Sequence, residues 1–346
     1  MTEISRDLLV RLPKAELHCH LDGSVRPQTL LELAAEREVV LPAHNVAELN
    51  EYMIVRNADN LEDYLARFSV TLSVMQDAES LERIARELVV DAAREGVRYI
   101  EIRYSPILNT QDGLSLDEAV EAPLRGIATA TFETGTIGRV IVCALRHLQP
   151  SVSSELARLA VAYKHHGVVG FDLAGGERGH PAARHNESFA YARAHDLAVT
   201  VHAGEGDGAD SVRQAVYACG ANRIGHATRL FEDQSLTQYV NDRRIALEIC
   251  LTSNVQTRAA QSYETHPLRS YFDHGQNVVL NTDNRLMSGV TLTDEYAHAA
   301  SSLGFTFREL AQVARNGFES AFASWYERRT MLDAFDRELP GLLMQV

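Results

Sequence analysis

Two histidines separated by one residue, His18 and His20, could do chemistry together. In an extended segment, residues two apart point to the same face, so both imidazoles would aim at one spot. Neutral imidazole is the commonest side-chain metal ligand, and two on one face make half a site. Alone, such a pair is mostly coincidence in a chain with 14 histidines. Three further clusters change that weighing: His202-Ala203-Gly204-Glu205, Gly225-His226 and Asn281-Thr282-Asp283-Asn284. Each follows a short apolar run, and Asp22 follows the first pair. His18, His20, His202 and Asp283 offer three nitrogens and one oxygen, a mixture that suits a single borderline ion such as Zn²⁺. A metal in such a site lowers the pKa of its water to about 7. Glu205, three residues past His202 in a Gly-containing turn, can reach the cavity without ligating the metal. It would serve as a general acid if burial raised its pKa. His226 can orient the water and take its proton. Read by themselves, these residues specify a metal-dependent hydrolase.

The elements that must position these groups recur along the chain. Short apolar runs at 15–18, 97–103, 139–145, 168–172, 198–202, 223–225, 245–250 and 277–281 read as strands. Most are continuous apolar stretches, as expected when both faces of a parallel sheet are covered. Helical patterns at 78–95, 115–133, 153–166, 181–194, 209–219 and 234–241 lie between them. Eight strands alternating with helices predict an α/β fold of the (β/α)8 TIM-barrel type, one domain over residues 1–346. A doubly wound open sheet is disfavoured, because no G-x-G-x-x-G follows the first strand. In a barrel, functional groups gather at the C-terminal ends of strands, which is where the clusters fall. Residues 24–96 exceed a simple crossover and predict a helical insertion after strand 1 that covers this end of the barrel. Within it Leu61, Tyr64, Leu65 and Phe68 share one helical face, with core packing as the alternative reading. After the last strand, helices at 293–303 and 307–328 are expected to close the barrel.

Composition narrows the function classes. The chain has 346 residues, 45% hydrophobic and 23% charged, with a formal net charge of −14. That acidity, without long basic runs, argues against nucleic acid polymers as partners. No apolar stretch of about 18 residues predicts a membrane span, and the N-terminus lacks the basic-then-apolar order of a signal peptide. Cys19, Cys143, Cys219 and Cys250 form no CxxC pair, which predicts free thiols and a cytoplasmic location. Nothing in the chain points to an obligate protein partner.

At these residues the chain resembles the adenosine deaminase family of the amidohydrolase superfamily. The matching motifs are Glu16 to Gly23, Asp172 to Gly175, His202 to Glu205, Gly225-His226, Thr252 to Asn254 and Asn281 to Asp283. Arg103 to Pro106 and the stretch from Leu61 to Phe68 fit as well. Two-metal relatives usually place a bridging lysine at the end of strand four; here Phe171 to Glu177 contains none, which favours one metal. The resemblance implies Zn²⁺ on His18, His20, His202 and Asp283, with water as a further ligand. It implies addition of hydroxide to C6 of a purine, with Glu205 protonating N1 and His226 and Asp283 positioning the water. It further implies that the Gly175 N–H meets N3 and that Asp22 accepts from the ribose 5′-hydroxyl. The cytidine-deaminase signatures H-x-E and P-C-x-x-C are absent.

One departure bears on substrate choice. The family usually has a second Asp after the metal ligand, facing N7; this chain has Asn284. The expected activity is hydrolytic deamination of adenosine and 2′-deoxyadenosine in purine salvage. The nearest alternative is 6-amino-6-deoxyfutalosine, with a larger 5′-substituent. Free adenine is a further alternative, although bacterial adenine deaminases tend to carry Glu where Asp22 stands. A zinc-binding barrel that only senses or binds a ligand is the non-enzymatic reading. It leaves Glu205 and His226 without a purpose.

Overall fold

The computed structural model describes residues 4–55, 64–65 and 67–345. Eight strands follow one another in the chain. They are β1 (Lys14–His20), β2 (Val97–Tyr104), β3 (Ile137–Leu145), β4 (Val168–Ala174), β5 (Ala198–Ala203), β6 (Arg223–His226), β7 (Ala246–Ile249) and β8 (Val278–Leu280). Each pairs in parallel with the next, in the order 1 to 8. Helices connect them, as parallel crossovers require, and the result is the expected (β/α)8 barrel.

The seam between β8 and β1 is closed differently from the other junctions. A single bridge joins Cys19 to Asp283. Oδ1 of Asn281 accepts from the backbone N–H groups of Leu17 (2.7 Å) and His18 (3.1 Å). The N–H of His20 donates to the Asp283 carbonyl at 2.7 Å, and that of Asp283 to the His18 carbonyl at 3.0 Å. A side-chain amide thus substitutes for a missing stretch of ladder.

The barrel interior departs from the apolar filling that continuous hydrophobic runs suggest. Strand residues alternate, and the apolar ones pack outward against the helices. Glu101, Arg103, Asp172, Thr200, Arg223 and Glu248 project inward instead, each at most 1% exposed. They meet across the barrel in one network. Arg103 pairs with Asp172 (3.1 Å) and Glu248 (2.9 Å); Arg223 pairs with Glu248 (2.6 Å) and with Glu101. Thr200 donates to Glu248 at 3.1 Å and Tyr99 to Glu101 at 2.9 Å. Buried charges persist only when paired and hydrogen-bonded, and here every carboxylate is.

Between β1 and β2 the insertion carries the helices Pro27–Glu36, Val46–Met53, Phe68–Leu72 and Ala78–Arg94. Tyr64, Leu65 and Phe68 reach the C-terminal end of the barrel, and Tyr64 Oη lies 2.9 Å from Ser288 Oγ. Leu61 lies outside the described residues. The last helix of the insertion starts at Asp77, whose carboxylate caps it by accepting from the Ser80 N–H at 2.8 Å.

The expected helix over 307–328 is two helices, Phe307–Ser320 and Trp325–Leu343. Ala321 turns to an extended ψ of 140°. The Phe322 N–H then donates to Glu101 Oε1 at 2.6 Å, and the Phe322 ring lies 3.4 Å from the Arg223 guanidinium. The chain breaks in order to plug the lower end of the charged column. Ser324 restarts the helix through a capping box with Glu327. All four cysteines are buried free thiols. No helix among the described residues is long and apolar enough to cross a membrane.

Candidate metal centre and active site

The alternation of β1 places His18 and His20 on the inner face at its C-terminal end. His202 stands next to last in β5, His226 closes β6, and Asp283 follows β8. His226 and Asp283 adopt left-handed backbone conformations, with φ of 63° and 61°. Such conformations cost about 1–3 kcal/mol each and concentrate at functional sites. Here they turn the side chains in over the barrel mouth. Gly225 leaves the space that the His18 ring occupies; a Cβ there would stand 3.0 Å from His18 Cε1.

The side chains converge. His20 Nε2 is 3.1 Å from His202 Nε2, and Asp283 Oδ1 lies 3.3 Å from His18 Nε2 and 3.4 Å from His20 Nε2. Ligand atoms of His18, His202, His226 and Asp283 all fall within 4.8 Å of one another. Four imidazoles and one carboxylate therefore meet, one group more than a four-coordinate site uses. His18 Nε2 is buried without a hydrogen-bond partner, an orphaned lone pair aimed at the cluster. This donor set fits a divalent metal ion.

The imidazoles of His18 and His202 are oriented from below by the charged column. His18 Nδ1 is 2.9 Å from Glu248 Oε2, and His202 Nδ1 is 3.1 Å from Asp172 Oδ2. Each imidazole thereby donates its outer N–H to a carboxylate, which fixes its tautomer and leaves Nε2 for the metal. Arg103 holds both carboxylates. Asp283 Oδ2 accepts from Ser253 Oγ at 2.6 Å.

Two carboxyl groups in this cavity are driven apart in acidity. Burial, then the nearby charges of Asp283 and Glu177, push Glu205 well above the ordinary carboxyl value. Burial opposes the charge on Asp283, but the imidazoles of His18, His226 and His20 around it hold it well below. Glu205 sits on a loop pinned by Glu177, which accepts from the N–H groups of Gly204, Glu205 and Gly206 at 2.8–3.2 Å. Burial, then the charge of His18, lowers His226 well below the ordinary imidazole value.

A small cavity is lined by His20, Gly175, His202, Glu205, His226, Asp283 and Asn284, under Leu65 and Phe68. It adjoins a second cavity of about 180 Å³ that includes Asp22, Ser105, Leu108 and His147. Burial raises Asp22 to about 7, and its Oδ1 has no hydrogen-bond partner. The Asn284 Oδ1 is likewise unpartnered and packs on Gly23, where a Cβ would collide with it. A larger groove, about 1420 Å³, lies at the opposite end of the barrel, around the N-terminal ends of β4, β5 and β6. It contains none of these groups.

All nine residues singled out in the sequence are thus brought together: His18, His20, Asp22, Gly175, His202, Glu205, His226, Asp283 and Asn284. The sequence reading missed the carboxylates behind the ligands. Glu248 was legible only as a lone charge inside the apolar run 245–250. Asp172 and Arg103 were noted as motif members without a role. Asn254 and His266, which stand behind His226, were likewise given no role.

A family model described as adenosine deaminase matches residues 13–338. The chain belongs to the adenosine deaminase family. Its relatives in the family include an adenosine deaminase of Clostridium acetobutylicum, 36% identical over 96% of this chain and 99% of that one. A probable adenosine deaminase of Dictyostelium discoideum is 42% identical over 92% of this chain, which spans only 42% of that longer protein. Among solved structures, an amidohydrolase from Burkhoderia ambifaria with bound Zn is similar at a TM-score of 0.90. It is 25% identical, covering 99% of this chain and 96% of that one.

Proposed function

We propose that this chain, acting as one catalytic domain, hydrolyses adenosine and 2′-deoxyadenosine to inosine and 2′-deoxyinosine with release of ammonia. One observation carries the reading beyond family membership. Glu205 and Asp283 share a cavity, and their surroundings make one an acid and the other a base. A binding module needs neither.

His18, His20, His202 and Asp283 would hold one Zn²⁺; the bound Zn of the Burkhoderia relative supports the choice of ion. His226 is left outside this set, because Asn254 engages its Nδ1 and its Nε2 lies 3.4 Å from Glu205. The ion, when bound, lowers the pKa of water so that a nucleophile exists at neutral pH. The remaining steps fall to the protein. Glu205 gives its proton to N1, which withdraws electrons from C6. Asp283 and His226 orient the water whose oxygen adds to C6. Asp283 takes one of its protons and passes it to the exocyclic nitrogen, which leaves as ammonia when the C6–N bond breaks. The proton of the new C6 hydroxyl restores Glu205. The Gly175 N–H meets N3, Asn284 meets N7 and Asp22 meets the 5′-hydroxyl. Phe68 and Leu65 shield the site from bulk water. Four buried thiols support a reducing, cytoplasmic setting.

Ammonia release should be measured on adenosine, 2′-deoxyadenosine, adenine and 6-amino-6-deoxyfutalosine and compared by kcat/KM. The two nucleosides should be the best substrates. A higher value on adenine or on the futalosine derivative would transfer the assignment to that compound. Metal analysis should give about one Zn²⁺ per chain, and full turnover after chelation would refute the ligand set.

A further inference from the structure

Behind His226 runs a chain of hydrogen bonds whose direction is set at its far end. The backbone N–H of Leu268 points at Nδ1 of His266, 3.0 Å away. A backbone N–H only donates, so this nitrogen must accept. His266 is 3% exposed, and burial pushes its imidazolium down to about 3. It is therefore neutral, with its proton on Nε2. That N–H donates to Oδ1 of Asn254 at 3.1 Å. The Asn254 amide is then oriented, and its Nδ2 donates to Nδ1 of His226 at 3.0 Å. Amide orientation and histidine tautomer are usually interchangeable choices. Here one peptide N–H removes both choices in sequence.

We infer that His266 and Asn254 are positioning residues that lock His226 as its Nε2–H tautomer. Neutral His226 then has no lone pair on the nitrogen facing the cavity. It presents a donor there, 3.4 Å from Glu205 Oε2, and orients the acceptor oxygens it meets. It does not take the proton of the attacking water, the second task the sequence suggested for it. The chemical consequence rests on the deaminase reading; the tautomer itself does not.

The test is a two-bond ¹H–¹⁵N correlation on the zinc-loaded protein carrying ¹⁵N-histidine, with His226 assigned as the signals missing from His226→Gln. The expected pattern is a bare Nδ1 and a protonated Nε2. A proton on Nδ1 overturns the proposal, whatever the activity. Asn254→Asp keeps the shape but replaces the donor with an acceptor, so the pattern should reverse to Nδ1–H. The kcat for adenosine should fall roughly 10²-fold or more, as for other mispositioned imidazoles, with KM little changed. His266→Gln retains an acceptor for Leu268 and a donor for Asn254. It should keep the wild-type pattern, whereas His266→Leu should lose it. An unchanged pattern in both Asn254→Asp and His266→Leu also overturns the proposal. A correct pattern in a protein that leaves adenosine untouched would refute the deaminase reading and leave the lock standing.

Discussion

Oε2 of Glu248 lies 2.9 Å from both Nδ1 of His18 and Nη2 of Arg103. One oxygen thus joins a metal-site imidazole to the charged column that fills the barrel. Partners in this position are worth about 10–100-fold in metal affinity. Glu248→Gln keeps the volume but removes the charge, and should weaken zinc binding by about that factor, measured by competition with a chelator. Unchanged affinity would mean that Glu248 serves the barrel alone. The variant should also unfold more readily, because Arg103 and Arg223 lose a shared counter-charge in a dry interior.

Glu205 should act in chemistry and not in metal binding. Glu205→Gln has no proton for N1, and removing a general acid costs at least ~10² in kcat. Zinc content should stay at the wild-type level. A near-normal kcat, or zinc lost with the side chain, would reassign the residue.

Asn284 should read N7. The N7 atom of a neutral purine only accepts, and an amide donates to it without taking up a proton, whereas an Asp there must be protonated first. Asn284→Ala should lower kcat/KM for adenosine by roughly 0.5–1.5 kcal/mol or more in transition-state terms. The same change should matter little for 7-deazaadenosine, which has carbon at that position. Equal losses on both substrates would reduce Asn284 to a brace for Asp283.

Asp77 gives a pH signature in stability. Partial burial opposes its charge, but Arg37 and the Ser80 N–H and hydroxyl hold the carboxyl at about 2, against an ordinary 3.8. A depressed carboxyl stabilises the fold above its unfolded pKa and loses that contribution as pH falls through the folded one. Solvent screens the Arg37 pair, so the helix cap dominates and Asp77→Ala should cost about 1 kcal/mol near neutrality. In urea unfolding, the gap between variant and wild type should persist down to about pH 3.8 and close toward pH 2. A gap that ignores pH would show that the charge contributes nothing.

The barrel and the convergence of these side chains at its mouth were legible because strand alternation and strand-end chemistry are local signals. His18 and His20 share a face by spacing alone, and His202 ends a short apolar run. The charged column was not legible, since Glu248 and Arg223 find their partners only after the barrel closes. His266 lies in a stretch with no strong periodicity, and its importance is a matter of one peptide N–H. The break at Ala321 had no local cause either; Glu101 and Arg223 create it from a distance.

The β8–β1 seam has a consequence in time. Its strands are held by one bridge and the Asn281 amide, and the same junction carries His18, His20 and Asp283. During synthesis the two histidines emerge more than 250 residues before the aspartate. No earlier fragment holds the full ligand set. Closing so long a loop is entropically unfavourable, and an ion bound across the join repays part of that cost. With the proposed ligands, metal uptake would be a late event in biogenesis, and a loaded centre would certify that the ring is complete.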